Sequence, residues 1–191
     1  MEWLSRALDT LRVPATEGVD SLAIEMKTWR ALDDRDYGGK SECKAAIIPV
    51  STSSDSSNSG PVAQLVFSGA VHFDAALSEA TNNAKGGFCA IMGTVPTPLD
   101  LRDYAGLSLE LKCTSQQPRR FTVNVAATSF FVDDLYQYDV VVMGDTWVTV
   151  HLPFDGFRLT SRGAEREVQR KADSIHLERL GFITKEPNGT L

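Results

Sequence analysis

A chain of 191 residues, 42% of them hydrophobic, is long enough to bury the core of one large domain and too apolar to be a disordered tail. Its formal net charge of −6 argues against nucleic acid as a general partner, because neutralising phosphates needs a basic face. The charge is uneven: from Arg158 to Lys171 five basic residues stand against two acids, so that segment is +3 and the remainder carries −9.

The first predicted element is "MEWLSRALDTLRV", where Trp3, Leu4, Ala7, Leu8 and Leu11 share one helical face. It carries Arg6 and Arg12 but also Glu2 and Asp9, and presequences are poor in acids. The expectation is a helical arm over residues 1–27 that packs on the domain or on a partner, not an intact targeting peptide. No apolar run of about 18 residues occurs, so no helix is expected to span a bilayer. From residue 28 to 185 the chain reads as one domain, followed by a short tail over 186–191.

Inside that domain the hydrophobic period is two. "YAGLSLELKC" places Ala105, Leu107, Leu109, Leu111 and Cys113 on one face and Ser108, Glu110 and Lys112 on the other. "RRFTVNVAAT" turns Phe121, Val123, Val125 and Ala127 inward and Arg120, Thr122, Asn124 and Thr128 outward. "TWVTVHL" sets Val148, Val150 and Leu152 against Trp147, Thr149 and His151. "QLVFSGAV", "GGFCAIMGTV", "LYQYDVVVM" and "IHLERLGFI" are further strands. About nine strands separated by polar or Gly/Pro turns, without alternating helices, predict an all-β sandwich. The serine-rich "STSSDSSNSG" and the longer "HFDAALSEATNNAKGG" are loops. In the basic segment Arg158, Arg162, Arg166 and Arg170 recur every four residues. On a helix they would drift along one face; in a loop the spacing means nothing, and Gly163 weakens the helix. That segment is either a solvated surface or a dock for an acidic partner or an anionic lipid headgroup.

Signals of enzymatic chemistry are thin. There is no nucleophile elbow, phosphate loop or dinucleotide fingerprint, and His72, His151 and His176 lack metal-ligand spacing. No cofactor is expected. The odd set Cys43, Cys89 and Cys113 lies in apolar runs and reads as reduced, buried thiols, which suits an intracellular or organellar protein and leaves the Asn188-Gly189-Thr190 sequon unused. Two carboxylate clusters remain: Asp33, Asp34 and Asp36, and Asp133 with Asp134. They hold either a structural cation or, with Arg35 or Lys40 as partners, a turn. In "ALDDRDYGGKSECKA", Gly38 and Gly39 free the backbone for a tight corner whose open N–H groups Asp33 and Asp34 can satisfy.

That stretch, with Trp29 before "DD" and "GGKS" ending at Ser41, resembles the opening motif of the complex I intermediate-associated protein 30 family. Later segments are similar in the same order: Phe67 with "SGAV", "GGFCAIMG" with Gly87 and Phe88, "PLDLRDYAGLSLELK", and "DTWVTVHLPFDGF". In the last, Trp147, Val150, Leu152, Pro153, Phe154 and Phe157 are in place, and "LERLGFI" closes the domain. The resemblance implies a galactose-binding-like jelly roll that binds and does not catalyse. It implies partners among membrane-arm assembly intermediates or subunits of mitochondrial NADH:ubiquinone oxidoreductase, at the matrix side of the inner membrane; some family members serve plastids instead. A docking role needs aromatic and arginine anchors, for which Phe130, Phe131, Tyr136, Tyr138, Arg158, Arg162, Arg166 and Arg170 are the candidates. The rival reading is a carbohydrate-binding module of the same architecture, against which the free cysteines and only three tryptophans count.

Overall fold

The computed structural model describes residues 2–6, 28–50, 62–72, 87–127, 133–172 and 176–185. The expectations placed on residues 7–27, the serine-rich loop 51–60, the loop 73–86, Phe130, Phe131 and the tail 186–191 lie outside these residues.

Two antiparallel sheets face each other. The smaller runs in the order β3 (Glu42–Val50), β4 (Val62–Ala70), β1 (Glu2–Arg6), β6 (Gly106–Cys113), β9 (Val148–Pro153). The larger has seven strands. Its order is β11 (Ala164–Glu165), β10 (Arg158–Ser161), β8 (Asp134–Val142), β7 (Arg119–Ala127), β12 (His176–Thr184), β5 (Cys89–Asp100), β2 (Thr28–Asp33). The predicted β sandwich is therefore present, with more strands than periodicity revealed. The extra ones, such as the two-residue β11, are too short to show a period and are defined by their pairing.

The start of the chain differs from expectation. Residues 2–6 form a strand, not the first turn of a helix. Trp3 lies opposite Phe67 of β4 on one side and Cys113 of β6 on the other. The physical reason is a vacancy in the ladder. Without β1, the facing edges of β4 and β6 would leave their backbone N–H and C=O groups unpaired in mid-sheet. That demand outweighs the helical periodicity of a short amphipathic segment. These residues thus belong to the sandwich and not to a separate arm.

Alternation explains the core. Leu107, Leu109, Leu111 and Cys113 of β6 are buried, while Glu110 is exposed; Ala105, just before the strand, is exposed as well. Phe121, Val123 and Val125 of β7 meet Leu177, Leu180 and Phe182 of β12 in the same core. The register of β12 shifts between Leu177 and Arg179, and there the alternation of β7 breaks, so that Ala126 is fully buried. β9 is an edge strand: Leu152 is buried, Val150 half-buried and Val148 exposed. Leu109, 1% exposed, sits in the closed middle of the core. Leu109→Ala is expected to lower unfolding stability by about 2–5 kcal/mol, read from the midpoint shift in a urea titration.

Candidate functional site

Two regions of this framework hold the residues singled out in the sequence: the corner between β2 and β3, and the outer face of the seven-stranded sheet with its terminal hairpin.

At the corner, Asp33 ends β2 and caps a 3-10 turn over Asp34–Tyr37. Its carboxylate accepts the Arg35 N–H at 3.2 Å, the Cys43 N–H at 3.3 Å and a two-pronged contact from the Arg35 guanidinium at 2.9 and 2.8 Å. The Arg35 guanidinium holds this carboxyl below its ordinary value of 3.8. Asp34 turns the other way and is buried. It accepts the Ser41 N–H at 2.8 Å and the Ser41 hydroxyl at 2.9 Å, and Ser41 Oγ in turn accepts the His72 N–H at 3.0 Å. Gly38 closes the turn with a φ of 86°. A Cβ on Gly39 would collide with the Asp34 carboxylate. Of the two readings left open for this acidic cluster, the turn-holding one describes Asp33 and Asp34, and their partners are Arg35 and Ser41. Among the described residues no group of three His, Cys, Asp or Glu side chains converges as a metal site.

The remaining motif residues are packing groups. Trp29 stacks on Phe182 with ring centres 6.4 Å apart. Gly87 is buried at a φ of 85°, and Phe88 leans on Tyr37 at 6.4 Å. Trp147 is half-buried beside β9, Pro153 ends that strand opposite Gly106, and Phe154 and Phe157 are buried 6.1 Å apart.

The basic segment is not a helix. Arg158–Ser161 and Ala164–Glu165 form the hairpin of β10 and β11, turning at Arg162 with a φ of 52° and Gly163 at 79°. The four-residue spacing therefore places no stripe of charge. Arg158 pairs with Glu165 at 3.3 Å and Arg162 with Asp133 at 2.8 Å; both arginines are exposed, and Arg170 is exposed beyond the hairpin. Arg166 reaches the buried Asp134 at 2.7 Å and fastens the hairpin to β8, which makes it a structural tie and not a free anchor. Tyr136 is corrected likewise. Only 6% exposed, it lies on the core side opposite Leu159 and cannot serve as a docking ring. Tyr138 is half-buried against Phe157 at 5.3 Å. These pairings leave little uncompensated positive charge for a lipid surface.

Outward-facing residues of β7, β8, β10 and β12 line a groove of about 650 Å³. Arg120 and Thr122 come from β7, Gln137 and Asp139 from β8, Arg158 and Thr160 from β10, and Lys185 follows β12. Hydrogen-bonded rungs cross its floor. Thr122 donates to Asp139 at 2.6 Å, and Gln137 donates to Asn124 at 2.8 Å. Tyr138 on the rim is the one aromatic among the lining residues. The sequence marked Arg120, Thr122 and Asn124 as outward but could not join them to Gln137, Asp139 and Lys185. The groove offers hydrogen bonds and mixed charge, and its one ring, Tyr138, is half-buried.

The family model described as "Complex I intermediate-associated protein 30 (CIA30)" matches residues 19–189. The chain belongs to this family. No curated protein matches it in sequence. In three dimensions it is similar to a family 11 carbohydrate-binding module from Clostridium thermocellum, solved in complex with a beta-1,3-1,4-mixed-linked tetrasaccharide. The TM-score is 0.51 at 14% identity, over 95% of this chain and 86% of that one. A second structure is the family 11 module of a cellulosomal cellulase of the same bacterium. It gives a TM-score of 0.50 at 14% identity, over 95% and 84% of the two chains. At such identity the likeness shows the fold alone, a jelly-roll-like sandwich. CIA30 membership thus joins a motif-built corner to a sandwich that carries a mostly polar groove on one sheet.

Ser41→Ala strips Asp34 of a donor and His72 N–H of its acceptor. A loss of about 2 kcal/mol is expected, measured by thermal melting. For Asp33 the folded-state pKa is depressed, so its contribution is present above the ordinary carboxylate value of 3.8 and fades as pH falls through the depressed one. Asp33→Asn is therefore expected to be less stable than the parent at neutral pH, with the gap narrowing under acid in urea titrations run from pH 7 down to pH 2.

Proposed function

We propose that this chain is a non-catalytic protein-binding module that acts in the assembly of mitochondrial respiratory complex I, or stays bound to it as an accessory subunit, at the matrix side of the inner membrane. The observation that carries the reading is the family match over residues 19–189. The groove supports it physically. Sugar recognition in an open cleft rests on rings laid flat against the pyranose face. Here the one lining ring is half-buried against Phe157, and most of the other lining residues are charged, amide or hydroxyl side chains, with Ile183 and two glycines among them. Such a surface suits a polar protein segment, held by hydrogen bonds and by complementary charge at its margin. Contact is proposed at Arg158, Arg162 and Arg170 of the basic segment and at Arg120 and Lys185 of the groove. Tyr138 contributes at the rim.

The test uses the tagged full chain in mitochondria, gentle detergent extraction, a native gel and mass spectrometry. Migration with complex I subunits or membrane-arm intermediates is the expected result. Binding to the mixed-linkage tetrasaccharide in calorimetry, with no large partner on the gel, would overturn the proposal. Arg158→Glu combined with Lys185→Glu is expected to cut recovery of the complex about tenfold while leaving the melting temperature unchanged within error.

A further inference from the structure

Two of the three thiols meet where the sheets meet. Cys43 lies near the start of β3 in the five-stranded sheet, and Cys89 opens β5 in the seven-stranded sheet. Each reaches the backbone beside the other. The Cys43 thiol donates to the Ala90 carbonyl at 3.6 Å, and the Cys89 thiol donates to the Glu42 carbonyl at 3.3 Å. Both are free thiols, Cys43 at 7% exposure and Cys89 at 2%. Cys113 is engaged elsewhere, at the end of β6, where its sulfur accepts the Ser115 N–H at 3.3 Å.

We propose that Cys43 and Cys89 form a modification site, a dithiol that a small hydroperoxide converts into a disulfide bridging the two sheets. Burial excludes a bulky disulfide as the oxidant, so the reactant in this proposal is one the size of hydrogen peroxide, entering where Cys43 keeps 7% of its surface. The order of events follows from the two environments. Cys43 is the more accessible of the two thiols, at 7% exposure against 2% for Cys89. Cys43 is therefore the first nucleophile. Its sulfur attacks one peroxide oxygen, the O–O bond breaks, and a sulfenic acid forms as one water leaves. The Cys89 sulfur then attacks the Cys43 sulfur. The S–S bond forms, the S–O bond breaks, and the Cys89 proton departs with the hydroxyl as a second water. Each sulfur gives up one electron, and the peroxide takes both. A dithiol reductant reverses the bridge by exchange.

The experiment treats the reduced full chain with hydrogen peroxide, quenches in acid, alkylates under denaturing conditions and maps the unreduced digest by mass spectrometry. Expected are a loss of two hydrogens, a single alkylated cysteine at Cys113, and one cross-linked peptide joining Cys43 to Cys89. Dithiothreitol should return all three thiols. Cys113→Ser should form the same bridge, while Cys43→Ser and Cys89→Ser should form none. The wild-type map decides even if a core variant fails to fold. Three alkylated thiols after peroxide, a sulfinic acid on Cys43 beside an alkylated Cys89, or a bridge that includes Cys113 overturns the assignment. The readout is chemical and does not depend on the binding partner proposed above.

Discussion

A buried carboxylate holds the corner at which one sheet becomes the other. Asp34 lies inside the turn between β2 of the larger sheet and β3 of the smaller, and it takes both the N–H and the hydroxyl of Ser41. Ser41 passes the constraint on to the end of β4 by accepting from His72 N–H. The corner and a stretch 31 residues further along the chain are thus tied by one short hydrogen-bonded chain. A carboxylate removed from water is costly unless its lone pairs are met by donors, so geometry and occupancy enforce each other. Gly39 is part of this arrangement because any side chain there would occupy the space of the carboxylate. Asp33, one residue earlier, is nearly as covered, and it holds the exposed Arg35 guanidinium against the turn.

From that corner the sheets divide their faces. The inward residues make one continuous apolar core across both sheets. The outward residues of β7, β8, β10 and β12 make a polar floor crossed by hydrogen-bonded rungs. Cross-strand polar pairs of this kind stiffen a sheet face while keeping it wet. The hairpin at the edge is pinned to the start of β8 by Arg162 on Asp133 and by Arg166 on the buried Asp134. Its arginines thus stabilise local geometry before they can act as bulk positive charge. This is why the +3 of the segment is a poor guide to its surface.

The likeness to carbohydrate-binding modules and the membership in the CIA30 family are compatible because fold and site are separable. A jelly-roll-like sandwich offers a sheet face, and side chains decide what the face recognises. Stacking on a sugar needs an exposed ring, and the rings of this domain are mostly spent elsewhere. Phe154 and Phe157 are buried, Tyr136 is in the core, and Tyr138 leans on Phe157. The aromatic packing that closes the sandwich on this side engages these four rings, of which Tyr138 alone lines the groove. The paired thiols lie at a third location, near the corner, where β3 and β5 approach from opposite sheets.

The sequence by itself determined the β class, the inward leucines of β6 and most of the inward side of β7, the corner with its two glycines, and the family; it placed Ser108 on a wet face, where the fold buries it. The strand faces and the corner rest on neighbours within about ten residues, where alternation and turn chemistry act directly, and the family rests on short motifs that recur in order along the chain. The ends of that reach are visible in particular residues. Trp3 and Leu4 have a helical period, yet they lie in a strand because the facing edges of β4 and β6 supply a ladder that local pattern cannot reveal. Tyr136 and Arg166 have the chemistry of docking anchors, and only packing shows that one is core and the other a tie. The groove and the meeting of Cys43 with Cys89 were decided by tertiary structure alone. Both join strands far apart in the chain, and side-chain proximity across sheets depends on strand order and register, which no local period encodes.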